Sequence, residues 1–310
     1  MSSKAILITG ACGLVGAPLT KLLTERGDRV VGLDPAEAPE ELRGFTHIRE
    51  GFGDYDMLAG LLRDHDVGKI VHAGGISGPM LAKDTPHHIN QVNLISTIDL
   101  AEAAYRHGIE RFVYCSSGSA YGVTPESPVT EETPFRPTSV YGATKAASDL
   151  VLLAYRAEYD LDVVGLRYSS VYGPRRATDC AIRTMIEDAM AGRATTLDWG
   201  AGEFWPFVYV GDIVDATAAA LDALKTPQYA YNVAGPDMPA VQRIAELVFE
   251  SFPNASIELG SDPRRDKRGR FDLGAAARDL HWTPKWDIER GVRTYIEWFL
   301  ANRANARTCP

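Results

Sequence analysis

The chain has 310 residues, 45% hydrophobic and 24% charged, with 32 Lys and Arg against 41 Asp and Glu for a net charge of −9. That is enough apolar material for the core of one large or two smaller domains, which excludes a disordered or disulfide-stapled chain. The acidic balance lacks the footprint of a nucleic-acid binder and disfavours an anionic membrane surface, and no apolar run approaches the ~18 residues of a membrane span.

Residues 5–9 (AILIT) form a β-rich run, and 14–26 place Leu14, Pro18, Leu22 and Leu23 at near-helical spacing before Gly27 stops the helix. Strands are expected over 29–33 and 45–49, then a helix striped by Met57, Leu58, Leu61 and Leu62. Strand 69–72, a long helix 89–106, strand 111–116, helix 139–159 and strand 162–166 follow. Apolar strands without alternation, separated by amphipathic helices, imply a parallel sheet covered on both faces, and right-handed crossovers make it doubly wound. Beyond residue 168 the rhythm loosens, with helices over 183–190, 213–224, 240–252 and 288–300 and strands over 205–210 and 231–233. We therefore expect an α/β protein: a dinucleotide-binding Rossmann sheet over 1–170, to which the chain returns around 205–233, and a smaller C-terminal α/β substrate lobe over 171–310.

The first residues enter a strand without the segments of a secretion signal, and Cys12, Cys115, Cys180 and Cys309 form no Cys-x-x-Cys pair. A cytoplasmic protein with reduced thiols is the expectation. Cys180, after the Gly173-Pro174 turn, reads either as a pocket-lining thiol or, preferred, as a buried inert one, and His87 and His88 as solvated residues with no partner at metal-ligand spacing, so no metal is expected.

Gly10, Gly13 and Gly16 follow the first strand and open the first helix, with Leu14 and Val15 in the same turn. Without side chains there, a pyrophosphate reaches backbone N–H groups at a helix N-terminus; the bland alternative is a tight turn. Asp34 ends the second strand. A carboxylate at that place accepts ribose hydroxyls and repels a 2′-phosphate, and Pro35-Ala36-Glu37 bring no arginine, so the expected cofactor is NAD rather than NADP.

Tyr141 and Lys145 share a helix face at i, i+4. A phenol is a poor base near neutrality, and an adjacent ammonium favours its ionised form, so such a pair can take a proton from an alcohol as hydride leaves its carbon. Ser117 leaves the fifth strand at its C-terminal end, where ligands sit in open α/β sheets, and can hold the reacting oxygen near the phenol.

These residues resemble the extended short-chain dehydrogenase/reductases, also called the NAD-dependent epimerase/dehydratase family. The likeness spans nearly the whole chain: the glycine loop, Gly53-Asp54-Tyr55-Asp56, Val71-His72-Ala73-Gly74-Gly75, Pro86 with Asn93, Ser116-Ser117, Tyr141 to Lys145, Leu166 to Arg175, Val208 to Asp212, Tyr231-Asn232-Val233 and Trp282-Thr283-Pro284. The resemblance implies that Asp54 and Tyr55 flank the adenine, and that Ala73, Gly74 and Gly75 lie along the pyrophosphate and ribose. It adds Asn93, Tyr168 and Val171 to the cofactor surface. It makes Lys145 the nicotinamide-ribose ligand, Tyr141 the base and Ser117 the residue that aligns the substrate hydroxyl. A homodimer through helices 89–106 and 139–159 is implied as well.

Two positions depart from the family's nucleotide-sugar pattern: Ser170 stands where an Asn is usual, and Trp205 where an Arg usually meets diphosphate. Arg264, Arg265 or Arg268 can compensate. Gly118 and Ser119 stand where dehydratases carry acids, which disfavours dehydration. The reading preferred on this basis is an NAD-dependent dehydrogenase of a small polyhydroxylated substrate, a free sugar or sugar acid. Ser117, Ser119, Ser170 and Trp205 would then line its site, and Arg175 or Arg176 would hold a carboxylate. The alternatives are a nucleotide-sugar epimerase that retains its NAD and, from another class, a non-catalytic NAD-binding sensor.

Overall fold

A computed structural model of the chain describes residues 4–78, 81–82, 84–124, 128–262 and 268–302. The strands are β1 (Ala5–Thr9), β2 (Val30–Leu33), β3 (Thr46–Ile48), β4 (Val67–His72), β5 (Arg111–Ser117), β6 (Val163–Tyr168), β7 (Ser170–Tyr172), β8 (Ala194–Gly200), β9 (Phe207–Tyr209), β10 (Ala230–Val233) and β11 (Ser256–Gly260). Seven of them form one parallel sheet in the order β10-β6-β5-β4-β1-β2-β3. The order reverses between β1 and β4, the switch point at which an open sheet leaves a crevice beyond its strand ends.

Period-two geometry explains the apolar runs. Ile6 and Ile8 of β1 enter one core with Val71, Val113 and Val164, while Ala5 and Leu7 enter another with Val31, Ile70 and Phe112. The helices are α1 (Gly16–Glu25), α2 (Tyr55–Asp64), α3 (Pro86–Asn90), α4 (Ser96–His107), α5 (Val140–Tyr159), α6 (Ala181–Ala191), α7 (Val210–Asp222), α8 (Val241–Ser251), α9 (Gly274–Asp279) and α10 (Ile288–Ala301). α1 and α7 cover the first core, which runs on without a break into Ile182, Trp199, Ile244 and Phe299, and α2 and α4 cover the second.

The C-terminal part departs most from the sequence expectation. The strand expected over 205–210 shortens to β9, and α7 already begins at Val210. β9 pairs with β7, and β8 with β11, in two small parallel sheets outside the large one; only β10 joins the large sheet, beside β6. The long helix expected over 89–106 is α3, a π turn at Gln91–Ile95, and α4. Among the described residues no helix is long and apolar enough to cross a membrane, and no three His, Cys, Asp or Glu side chains group to hold a metal.

Candidate active site

A cleft of about 1640 Å³ opens at the switch point and continues between the large sheet and the β7–β9 and β8–β11 layers. Gly10, Gly13, Leu14, Val15, Asp34, Asp54, Ala73, Gly74 and Gly75 line one half. Gly10 has φ +66°, and a Cβ on it would come within 2.6 Å of the Gly74 Cα, so the two loops approach as only glycines allow. A Cβ on Gly16 would overlap the Gly10 carbonyl; this glycine lies off the cleft wall and lets α1 pack against the turn. Asp34 is buried, and its Oδ2 accepts the Cys12 N–H at 2.9 Å and its Oδ1 the Ala36 N–H at 2.8 Å. The same carboxylate that would receive ribose hydroxyls thus also shapes the glycine loop. A cradle of backbone beside a buried acceptor fits a dinucleotide.

Besides Gly16, two expected cofactor residues stand off the cleft wall. Tyr55 is off the cleft wall, because Asp54 caps α2 and the ring of the first helical residue turns onto the core under α2; Phe52 and Gly53 line the cleft in its place. Asn93, 2% exposed, is also off the wall and grips the loop beyond β4, its Oδ1 accepting the Ile76 N–H at 2.8 Å and its Nδ2 donating to the Ile76 carbonyl at 3.0 Å.

Ser117, Tyr141 and Lys145 meet on the cleft wall between the two halves. Ser117 closes β5, and its Oγ accepts the Ser119 N–H at 3.1 Å. Ser139 caps α5 and so sets the first turn, which carries Tyr141. Asp149, farther along α5, binds Ser116, Arg167 and Tyr229 at 2.9–3.0 Å and fixes the helix to β5 and β6. Lys145 is buried, donates to the Cys115 carbonyl at 2.8 Å and stands 4.7 Å from the centre of the Tyr114 ring. Burial acts to lower its pKa, Tyr114, Tyr141 and Cys115 act to raise it, and the balance lies above the ordinary lysine value. Tyr168 and Val171 line the same wall; the Tyr168 hydroxyl meets Thr217 Oγ1 at 2.7 Å and Cys115 Sγ at 3.2 Å.

Ser119, Ser170, Trp199, Trp205, Arg176, Thr184, Arg268 and Phe271 line the other half. The Trp205 indole donates to Ser170 Oγ at 2.7 Å, and its ring centre lies 5.2 Å from that of Trp199. The two residues that depart from the family pattern therefore satisfy each other. Arg175 is off the wall and ion-paired with Glu41, in a turn where its φ is +69°. Arg176 does line the cleft, but its terminal nitrogens donate to the Val171 carbonyl at 2.6 Å and the Asp179 carbonyl at 3.1 Å, which makes it a brace of its own loop. Arg268 of the basic stretch reaches the cleft and donates to the Gly118 carbonyl at 3.2 Å; Arg264 and Arg265 lie outside the described residues. Sequence reasoning missed Trp199, Thr184 and Asp99 on the wall, and Cys180 and His88 reach it too. Burial and the nearby Asp54 hold the Asp99 carboxyl above its ordinary pKa.

Residues 6–234 match the NAD dependent epimerase/dehydratase family. A UDP-glucose 4-epimerase of Mycolicibacterium smegmatis is 31% identical over 308 residues, 94% of this chain and 97% of that protein. A dTDP-glucose 4,6-dehydratase of Xanthomonas campestris is 26% identical over 328 residues, 96% of this chain and 93% of that protein. The crystal structure of a Thermus thermophilus UDP-glucose 4-epimerase in complex with NAD superposes with a TM-score of 0.85 at 28% identity, covering 96% of this chain and 99% of that one. With its glycine cradle, its buried Asp34 and its Tyr141–Lys145 pair in one cleft, the chain belongs to the NAD-dependent epimerase/dehydratase family of enzymes, and its cofactor is NAD.

Proposed function

We propose that the protein epimerises a nucleotide-linked sugar. The observation that carries this reading is the single cleft of about 1640 Å³, running from the glycine loop to Trp199 and Trp205 with Ser117, Tyr141 and Lys145 midway. One drug-sized ligand takes about 300–1,000 Å³, so this cleft has room for a dinucleotide and a second extended ligand. The activities in the names of the relatives point the same way, and Gly118 and Ser119 leave epimerisation favoured over dehydration.

Bound NAD supplies a hydride acceptor and donor. The chain's part is proton handling and orientation. The Tyr141 phenolate, stabilised by the Lys145 ammonium, takes the proton of the sugar carbinol and holds it as the neutral phenol. Ser117 donates to the reacting oxygen and keeps it within reach. Tyr141 then returns the proton once the ring presents its other face. Asp34, Asp54 and the 10–15 and 73–75 loops hold the cofactor, and Ser119, Ser170, Trp205 and Arg268 contact the nucleotide sugar. Incubation with UDP-glucose, UDP-galactose and dTDP-glucose should interconvert epimers with no net rise in NADH absorbance.

The Trp205–Ser170 hydrogen bond favours a second reading, NAD-dependent oxidation of a small sugar or sugar acid, because an indole face suits the carbon side of a polyol better than a diphosphate. Stoichiometric NADH with free sugars or sugar acids, and no turnover of nucleotide sugars, would replace the first reading with this one.

We also propose a homodimer through α4 and α5. Leu150 and Leu153 on α5 are 56% and 43% exposed, and Tyr159 at the end of the same helix is exposed as well, apolar surface that a second copy would cover about a two-fold axis. Light scattering that finds only monomer at micromolar concentration would count against it.

A further inference from the structure

His72 ends β4 directly before the cofactor loop, is 1% exposed and takes no part in the chemistry above. Its neighbours form a directed chain. The Gly74 N–H donates to Thr9 Oγ1 at 3.1 Å, and Thr9 Oγ1 lies 2.7 Å from His72 Nδ1. On the far side of the ring, Nε2 lies 2.9 Å from Thr97 Oγ1, whose own proton goes to the Asn93 carbonyl at 2.8 Å.

Counting donors fixes the tautomer. Thr97 donates to a carbonyl, so toward His72 it accepts, and Nε2 carries the proton. Nδ1 is then an acceptor, and the Thr9 hydroxyl, whose oxygen takes the Gly74 N–H, gives its proton there. Asn93, where the chain ends, holds Ile76 by both its N–H and its carbonyl. Residues 74 and 76 of the cofactor loop are thereby braced from two directions that meet at one residue.

We propose that His72 is a positioning residue for NAD: as the neutral Nε2–H imidazole it couples Thr9 to Thr97 and thereby sets the 74–76 loop at the spacing the dinucleotide needs. The setting supports one charge state. The charged group facing the ring is the Lys145 ammonium of α5, the titratable group beside it is Tyr114 of β5, and Phe52 and Phe112 pack on it as neutral rings. Burial first, then Lys145, push the imidazole pKa down to about 3. An imidazolium would also leave the Thr9 hydroxyl proton with no acceptor at Nδ1.

The test reads NAD binding by calorimetry on the whole protein, so it stands whichever substrate proves right. Thr9→Val keeps shape and removes the hydroxyl, and it should weaken NAD at least tenfold; Thr9→Ser keeps the hydroxyl and should stay within about threefold of wild type. His72→Phe should match Thr9→Val, and combining the two should add little, because both break one chain. In wild type the NAD affinity should show no inflection near the ordinary histidine value of about 6.5. Thr9→Val within twofold of wild type, or Val and Ser variants alike, overturns the proposal even if His72→Phe does not fold. An inflection near 6.5 that disappears in His72→Phe overturns the fixed neutral form.

Discussion

Around the cofactor the cleft is made of main chain. Gly10, Gly13 and Gly74 bring backbone to the surface at the ends of β1 and β4, and the polar side chains there, Asp34, Thr9 and Asn93, hold backbone N–H groups. Across the cleft the wall is made of side chains from separate segments: Trp199 on β8, Trp205 before β9, Ser170 opening β7 and Arg268 beyond β11. The cofactor half recognises a constant ligand through geometry that local spacing dictates. The other half, proposed above to take the substrate, is built from groups that only tertiary packing brings together, so it can change without disturbing the sheet.

The sharpest separation of the halves comes at their junction. Tyr141→Phe keeps the ring in its buried seat and removes the proposed proton carrier. Turnover should fall by about two to four orders of magnitude, the usual scale of general acid–base catalysis, while calorimetry finds NAD and substrate bound as before. Full activity in this variant would move proton transfer to another group.

Asp34→Ala should act on one half only. It removes the acceptor of the Cys12 and Ala36 N–H groups together with the charge that repels a 2′-phosphate. Hydrogen bonds to a charged partner contribute about 1.5–3 kcal/mol, so NAD should weaken by about tenfold to a hundredfold and the preference over NADP should narrow. Substrate affinity, measured by equilibrium dialysis, should not move. If it falls in parallel, the halves are not independent.

The same division decides what could be read in advance. The glycine spacing, Asp34 at a strand end and the i, i+4 pair of Tyr141 and Lys145 are local patterns, and the parallel sheet that carries them is dictated by unalternating apolar strands. Tyr55 misled because its motif fixes the Asp54 cap and leaves the direction of the next side chain to the core. Asn93 misled because a residue can serve a ligand by holding the loop that touches it. β7 and β9 are three residues each, too short to show a period, and β8 finds its partner β11 far along the chain. Trp199 and Trp205 flank the turn between β8 and β9, and sequence spacing shows neither that their rings meet nor that Trp205 reaches Ser170. Arg175 and Arg176 are adjacent in sequence, yet one pairs with Glu41 and the other braces its own loop.

Trp205→Phe probes the other half at smaller scale. The aromatic face stays and the N–H to Ser170 is lost. A neutral hydrogen bond is worth about 0.5–1.5 kcal/mol, so the substrate KM should rise several-fold with kcat and NAD affinity nearly unchanged. A loss concentrated in kcat would instead place the indole against the reacting carbon.

The smallest effect is expected at the Arg175–Glu41 ion pair, off the cleft wall. Arg175 follows β7 and Glu41 lies in the segment after β2; burial and Asp34 push the Cys12 thiol in the glycine loop up to about 11, and the nearby Arg175 charge offsets only part of that rise. The pair therefore ties the turn after β7 to the segment after β2. With side-chain exposures of 29% and 56%, though, it stays hydrated and screened, and exposed pairs contribute about 0–1 kcal/mol. Glu41→Gln should speed NAD release, followed by stopped-flow fluorescence, by no more than about fivefold. Added salt should speed release from wild type toward the variant and change the variant little. A rise well beyond tenfold, insensitive to salt, would mean that this contact latches the cleft and that cofactor retention is controlled from the substrate side.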